Sequence, residues 1–425
     1  MRTLAAVCDG QFLGPAKSLV WGLRNRDASG RRAPTEGLEQ SPDRALVWRS
    51  LARVLVISFS DLSSDPRVDR QIAALLTKHC VVAAGLSPSG HEGVEFIDIA
   101  TPPLRLLDRG MGGIRLLAHR FEAAYWRQPK YGEVLRRLQN TSADVVLANE
   151  IASLPIALRL GPPVLVDAHE YAPEEFVERW WWRQLLAPYV RWQCGRYLSS
   201  AAVMTTVSEG IAETYYREFG VRPVVVTNAP PYADLEPTPV KEPVRILHHG
   251  GAQHGRGLEE MVRLADLLDE RFTLDFVLVE QDRGFRDELI ARARHNPRVR
   301  FPAPVPMRKL VGMASAYDIG LFLLPPNNLS HKYALPNKLF EFVQARLAVA
   351  IGPSLEMASL VRHYGCGVIA STFEPESLAT ELNALDADAI VAFKRASHVA
   401  AAELNAERNA ELLLGVVEEA LGAGL

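Results

Sequence analysis

From Arg53 onward the chain alternates short, nearly continuous apolar runs with segments of helical periodicity. Runs of four to eight β-branched and apolar residues read as strands buried on both faces, and the segments between them as crossover helices of a parallel sheet. In the first half the pattern predicts strands at 53–59 (RVLVISF), 80–86, 94–100, 144–150 (DVVLANE), 163–169 (PVLVDAH), 202–208 and 223–229. The stretch YADLEPTPVKEP, 232–243, interrupts the rhythm with prolines and charges and reads as a connection. The rhythm then restarts, with strands expected at 244–250 (VRILHHG), 273–280, 299–301, 318–325 (DIGLFLLP), 348–352 and 367–370. Two doubly wound α/β domains in tandem are therefore expected. The division expected is an N-terminal extension, disordered or misassigned, at 1–51, a first Rossmann-like domain at 52–235 and a linker at 236–243. A second Rossmann-like domain at 244–395 and a C-terminal helix at 396–425, able to pack back on the first domain, complete it.

A length of 425 residues agrees with two cores. Residues 22–50 are polar, rich in Gly, Pro and Ser and without period, which is why the folded part is expected to start near Arg53. A net charge of -3 with 48% hydrophobic residues describes an ordinary globular protein and argues against nucleic acid as a partner. Four scattered cysteines with no CxxC pair fit neither a disulfide framework nor a zinc site, so a reducing, cytoplasmic setting is expected. No apolar run reaches the length that spans a bilayer.

In open parallel sheets ligands collect at the carboxyl ends of the strands, so the residues just beyond each run carry the chemistry. After the first run, Asp65 and Pro66 form an N-cap and N1 pair, which puts Arg67 and Arg70 in the first turn of a helix, where the dipole disfavours cations. Either one arginine faces an anionic ligand, or both pair with Asp65, Asp69 or another carboxylate. PVLVDAHEY places Asp167, His169 and Glu170 together at a strand end, where the histidine serves a sugar hydroxyl or is satisfied by backbone. VRILHHGGAQHGRGLEEM offers Gly250 and Gly251 for close backbone approach, Arg256 as a fixed charge and a helix N-terminus near Gly257; the bland alternative is an ordinary glycine turn. In YALPNKLFEF, Pro336 opens a helix, so Asn337, Lys338 and Glu341 occupy its first turns, with the lysine and glutamate on one face. They form either a surface salt bridge or a phosphate cation beside a carboxylate that accepts from ribose hydroxyls. Asp386 and Asp388 read as a helix cap, and no metal is expected.

DPRVDRQ, DAHEY, VVVTNAPP, HHGGAQHGRGLEE and YALPNKLFEFVQARLAVAIG, in this order over about residues 52–400, resemble the family 4 glycosyltransferases. The resemblance implies a GT-B fold, two Rossmann-like domains facing across a cleft, the first on the acceptor side and the second holding the donor. It implies retaining transfer of a sugar from a nucleotide diphosphate sugar, a co-substrate, with no cofactor. His169 resembles the histidine near the reacting end of the donor sugar, Arg256 the basic residue that stabilises the leaving diphosphate, and Glu341 the second glutamate of the Glu-x7-Glu motif. Tyr333 stands where the first glutamate would be, and Gly250 and Gly251 stand where a Gly-Arg pair is usual, so Lys338 becomes the natural second cation. Arg67, Arg70, Asp167 and Glu170 are the candidate acceptor or phosphate contacts. A nucleotide-sugar 2-epimerase of the same architecture and a non-catalytic GT-B binding module are the rival readings.

Between 104 and 139 eight basic residues face three acids, and ERWWWRQLLAPYVRWQCGRYL follows in the same domain. Such a surface suits either an anionic leaflet near a lipid-linked glycan acceptor, on the inner face of the membrane, or a solvated basic face over buried tryptophans.

Overall fold

The computed structural model describes residues 51–103, 105–177 and 179–422; the expected extension at 1–51 lies outside these but for its last residue. The first sheet contains β1 (Arg53–Ile57), β2 (Cys80–Gly85), β3 (Glu95–Asp98), β4 (Val145–Asn149), β5 (Val164–Asp167), β6 (Val203–Thr206) and β7 (Val224–Val225), in the spatial order 3-2-1-4-5-6-7. The second contains β8 (Val244–Ala252), β9 (Phe272–Glu280), β10 (Val299–Arg300), β11 (Ile319–Phe322), β12 (Ala348–Ile351) and β13 (Gly367–Ile369), in the order 10-9-8-11-12-13. Every pairing in both sheets is parallel. The strand order therefore reverses between β1 and β4 and between β8 and β11, and each reversal opens a crevice at the carboxyl edge.

The helices that position the site have local causes. Helix α1 (Pro66–Leu76) starts because the Asp65 carboxylate accepts from the Arg67 and Val68 N–H groups, at 3.1 and 3.2 Å, while Pro66 supplies the fixed φ of N1. Helix α2 (Leu106–Leu117) follows β3, and α3 (Glu209–Phe219) follows β6, ending where Gly220 takes a left-handed φ of 72°. In the second lobe α4 (Leu258–Leu267) follows β8, and α5 (Asn337–Gln344) begins directly after Pro336. Helix α6 (Ala387–Ala401) is capped by Asp386, whose carboxylate accepts from the Ala389 N–H at 2.7 Å. Helix α7 (Ala406–Gly422) returns to the first lobe, where Leu413, Leu414, Val416, Val417 and Ala420 share a core with Val54, Val56, Val68, Ile72 and Leu75.

Strand ends differ from the apolar pattern where backbone chemistry decides. The run at 223–229 yields only the two residues of β7, and the next residues take partners outside the sheet: the Val226 carbonyl accepts from Arg67, the Thr227 hydroxyl donates to Asn409 and the Asn228 side chain accepts from Arg70. Conversely β8 continues to Ala252, so Gly250 and Gly251 lie within a strand, paired to Leu278 and Val279 of β9. The connection between lobes is clamped by Arg346. Its buried guanidinium donates to the carbonyls of Ala233 (2.6 Å), Leu235 (3.1 Å) and Gln344 (2.6 Å), and its backbone carries a φ of 62°.

Candidate functional site

At the end of β5, Asp167 is fully buried and is the hub of a polar network that spans three strands. Arg67, from α1, grips it with two parallel hydrogen bonds of 2.7 and 2.6 Å, Gln71 donates at 2.5 Å, and the Thr205 hydroxyl of β6 donates at 2.7 Å. Burial alone would raise this carboxyl, but Arg67 and His169 hold it well below the usual carboxylate range. Asp167 and Arg67, both candidate ligand contacts by sequence, thus engage one another as a buried pair beneath the strand ends. A buried bidentate pair satisfies the desolvated guanidinium, which explains a cation in the first turn of α1.

The network emerges into the cleft through His169. Its Nε2 meets Asp167 Oδ2 at 2.9 Å and its Nδ1 meets Glu150 Oε1 at 3.1 Å. Burial opposes charge on this imidazole, but Glu150 and then Asp167 outweigh both burial and Arg67 and raise its pKa. Glu150, the residue just past β4, adopts a left-handed φ of 65°, a conformation that costs a non-glycine residue on the order of 1 kcal/mol or more. Burial raises its carboxyl, with His169 acting in the opposite direction. Glu170 is exposed at the cleft, yet the protein crowding it raises its carboxyl, with Ser330, His169 and Arg256 opposing that shift.

The second lobe contributes the end of β8, the turn before α4, and the first turns of α5. Lys338 is 9% exposed and Glu341 7%, so the pair at i, i+3 is buried. Lys338 Nζ lies 3.9 Å from the Phe322 ring centre. Burial, then Arg256, depress its pKa to about 7, while Glu341 acts to raise it. Burial pushes the Glu341 carboxyl up to about 7 against the pull of Lys338 and Arg70. Gly250 has a φ of 135°, and a Cβ there would stand 3.1 Å from Lys338 Nζ, so a side chain at 250 would fill the space before the ammonium. At Gly257, φ 73°, a Cβ would meet the Leu323 carbonyl at 2.4 Å, which is what lets α4 start against the end of β11. Asn337 is half-buried at the first position of α5, and Arg256 is half-buried with its charge opposite Glu170 and Asp282.

Two complementary oppositions span the cleft: Arg70 toward Glu341, and Glu170 toward Arg256. Arg70 itself is held by the Asn228 side-chain oxygen. Of the sequence candidates, Arg70, His169, Glu170, Gly250, Gly251, Arg256, Asn337, Lys338 and Glu341 line or border this space.

Three residues of the arrangement escaped the sequence reading. Glu150 was legible only as the last letter of DVVLANE at a carboxyl edge. His249 lies 3.5 Å from Glu341 Oε2, but burial and Lys338 depress its pKa to about 3, so it meets the carboxylate as a neutral imidazole. Gly210, at the start of α3, receives the ring of Tyr333. A Cβ on Gly210 would fall 1.9 Å from that ring, and the Gly210 N–H donates to Glu356 Oε1 of the second lobe at 2.7 Å. Tyr333 is therefore a contact between lobes.

No family model matches the chain, and neither does any curated protein. Solved structures do. Sucrose-phosphate synthase from Thermosynechococcus elongatus aligns with a TM-score of 0.66 at 14% identity, covering 88% of this chain and 100% of that one. Anabaena HepE in complex with UDP and glucose aligns with a TM-score of 0.62 at 12% identity, covering 86% and 99%. WaaG, a glycosyltransferase involved in lipopolysaccharide biosynthesis, aligns at 0.58 and 15% identity, covering 85% and 100%. The chain has a GT-B fold. Both lobes are included in that likeness, since each match takes in nearly the whole of the solved chain.

Proposed function

We propose that the protein is a retaining, metal-independent glycosyltransferase that moves a hexose from a nucleotide diphosphate sugar to a glycan or lipid-linked acceptor in bacterial surface polysaccharide synthesis. The observation that carries this reading is the buried Lys338 and Glu341 beside the open backbone of Gly250, at the carboxyl edge of the second sheet. A desolvated ammonium and carboxylate destabilise an empty cleft, and a ligand with an anionic end and a diol end relieves both. Similar folds hold such ligands: the Anabaena structure contains UDP and glucose.

In this reading Glu341 accepts from the ribose hydroxyls, while Lys338, Arg256 and the α4 N-terminus face the diphosphate. Glycosyl transfer breaks the bond from the anomeric carbon to the phosphate oxygen and forms one to the acceptor oxygen on the same face, the acceptor proton passing to the departing phosphate. Negative charge grows on the diphosphate as its bond lengthens, and preorganised donors there are worth roughly 3 to 4 kcal/mol each in oxyanion sites. His169, fixed by Asp167 and Glu150, borders the reacting end of the sugar. The acceptor enters on the first lobe past Arg70 and Glu170, and the protein works in the cytoplasm, peripheral to the membrane's inner face.

Release of nucleoside diphosphate from a panel of nucleotide sugars, measured with and without glycan acceptors, tests the reading. Turnover that is lost in Glu341→Ala and Arg256→Ala supports it. Epimerised sugar without transfer, or no turnover with any donor, overturns it.

A further inference from the structure

Helix α2 is turned inside out relative to an ordinary surface helix. It rests on the first lobe through Gly112, Gly113 and Leu116, which are buried, and faces solvent with its apolar side. The outward stripe is Leu107 (81% exposed), Met111 (42%), Ile114 (59%) and Leu117 (61%), spaced at helical intervals so that all four share one face. Gly110 and Ala118 complete that face, which holds no charge. Arg105 and Arg120 are exposed at its two ends, and Arg127 is exposed one helix further on. The helix packs against the Trp182–Leu186 segment, and Trp180, 63% exposed, stands just before that segment.

We propose that this surface docks the protein on an anionic lipid leaflet, with α2 lying flat in the interface, its apolar stripe among the acyl chains and the arginines at the level of the headgroups. An amphipathic helix of this kind binds through buried apolar area together with attraction to anionic lipid. Charge favours a leaflet over a second copy of the chain. A two-fold pairing through α2 would bring two copies of the same basic surface together, whereas anionic headgroups neutralise it. Of the three acids between 104 and 139, Glu133 is already engaged by Arg136 and Arg137. Topology supports the same occupant: α2 follows β3, so its N-terminus lies at the carboxyl edge of the first sheet, the edge that carries His169. A docked α2 thus holds the cleft mouth near the membrane plane. In purpose this rests on the proposed transfer to a lipid-linked acceptor; the binding itself does not.

The test is co-sedimentation of the full chain with vesicles of phosphatidylcholine alone and of phosphatidylcholine mixed with phosphatidylglycerol. Binding to the mixed vesicles is expected, with a blue shift of tryptophan emission and release at high salt. The double variant Leu107→Asp/Ile114→Asp is expected to bind them roughly tenfold more weakly or less well still. Both sites face solvent, so its circular dichroism and its donor turnover stay those of the wild type. Absence of binding, or equal binding by the variant, overturns the proposal, as does a dimer in sedimentation that the variant abolishes. If no donor is turned over at all, the transferase reading falls while the vesicle experiment still decides this one.

Discussion

Replacing Lys338 with methionine separates what its ammonium costs the fold from what it does for a ligand. In the empty cleft burial, then Arg256, push it from 10.5 down to about 7. The unfolded chain keeps its proton up to 10.5, so between pH 7 and 10.5 the unfolded state binds more protons and stability rises with pH. Below pH 7 the folded protein carries the whole penalty, on the order of 5 kcal/mol at about 1.4 kcal/mol per pH unit. A diphosphate charge about 4 Å from the ammonium, at an effective dielectric near 20, returns about 4 kcal/mol, enough to restore most of the lost basicity. Binding above pH 7 should therefore take up close to one proton, and affinity should fall about tenfold per pH unit. Calorimetric titration of UDP and GDP, at about pH 8.5 in buffers of different ionisation enthalpy, measures this with the terminal phosphate already ionised. The wild type is expected to take up about one proton, and Lys338→Met none. The variant should bind about ten- to a hundredfold more weakly at neutral pH and resist urea better below it. A wild-type affinity that stays flat over about two pH units above neutrality, without proton uptake, refutes the reasoning.

Glu341→Gln should weaken nucleoside diphosphate binding about ten- to a hundredfold, the value of a hydrogen bond to a charged group, in the same calorimeter. Its carboxyl rises from 4.5 to about 7 in the fold, so stability falls as pH rises through that window and the full penalty stands above it. The glutamine variant should accordingly unfold at no lower urea concentration than the wild type in mildly alkaline buffer. Arg67→Ala strands a buried carboxylate and should cost about 3 to 5 kcal/mol in the unfolding of the first lobe. In Glu150→Gln the His169 titration followed by NMR should move to lower pH, because the glutamate charge is the largest single influence that raises it. Gly210→Ala should enlarge the radius of gyration by driving the Tyr333 ring off α3, and adding Tyr333→Ala should reverse the change.

The sheets were legible because buried parallel strands must be apolar on both faces, as β1, β4, β5, β11 and β12 are. β7 was overread because apolar letters say nothing of the partners outside the sheet that residues 226–228 find in Arg67, Asn409 and Arg70. The α5 group was legible as well, since Pro336, Lys338 and Glu341 lie within one turn and a half. The Arg67–Asp167 pair was not, for its partners stand 100 residues apart and meet only because β1 and β5 flank β4. Glu150 and His249 were hidden among strand letters, Glu150 just past the end of β4 and His249 inside β8, where a single polar residue has no sequence period. The departure at Tyr333 was visible, yet its partner, a glycine in the other lobe, carries no signal of its own.

Helix α7 makes the chain pass between the lobes twice. The outward crossing runs from β7 to β8 and the return from α6 to α7. They are tied to each other, the Thr227 hydroxyl donating to Asn409 Oδ1 at 3.1 Å and the Ala406 N–H to the Pro230 carbonyl at 2.9 Å. Two tethers bonded side by side remove the swivel that a single linker allows and leave rotation about one line as the easy motion. A hinge of that kind would carry Glu341 away from His169 along one arc and back to the same register, and the Tyr333 ring seated on Gly210 lies where the two lobes would part.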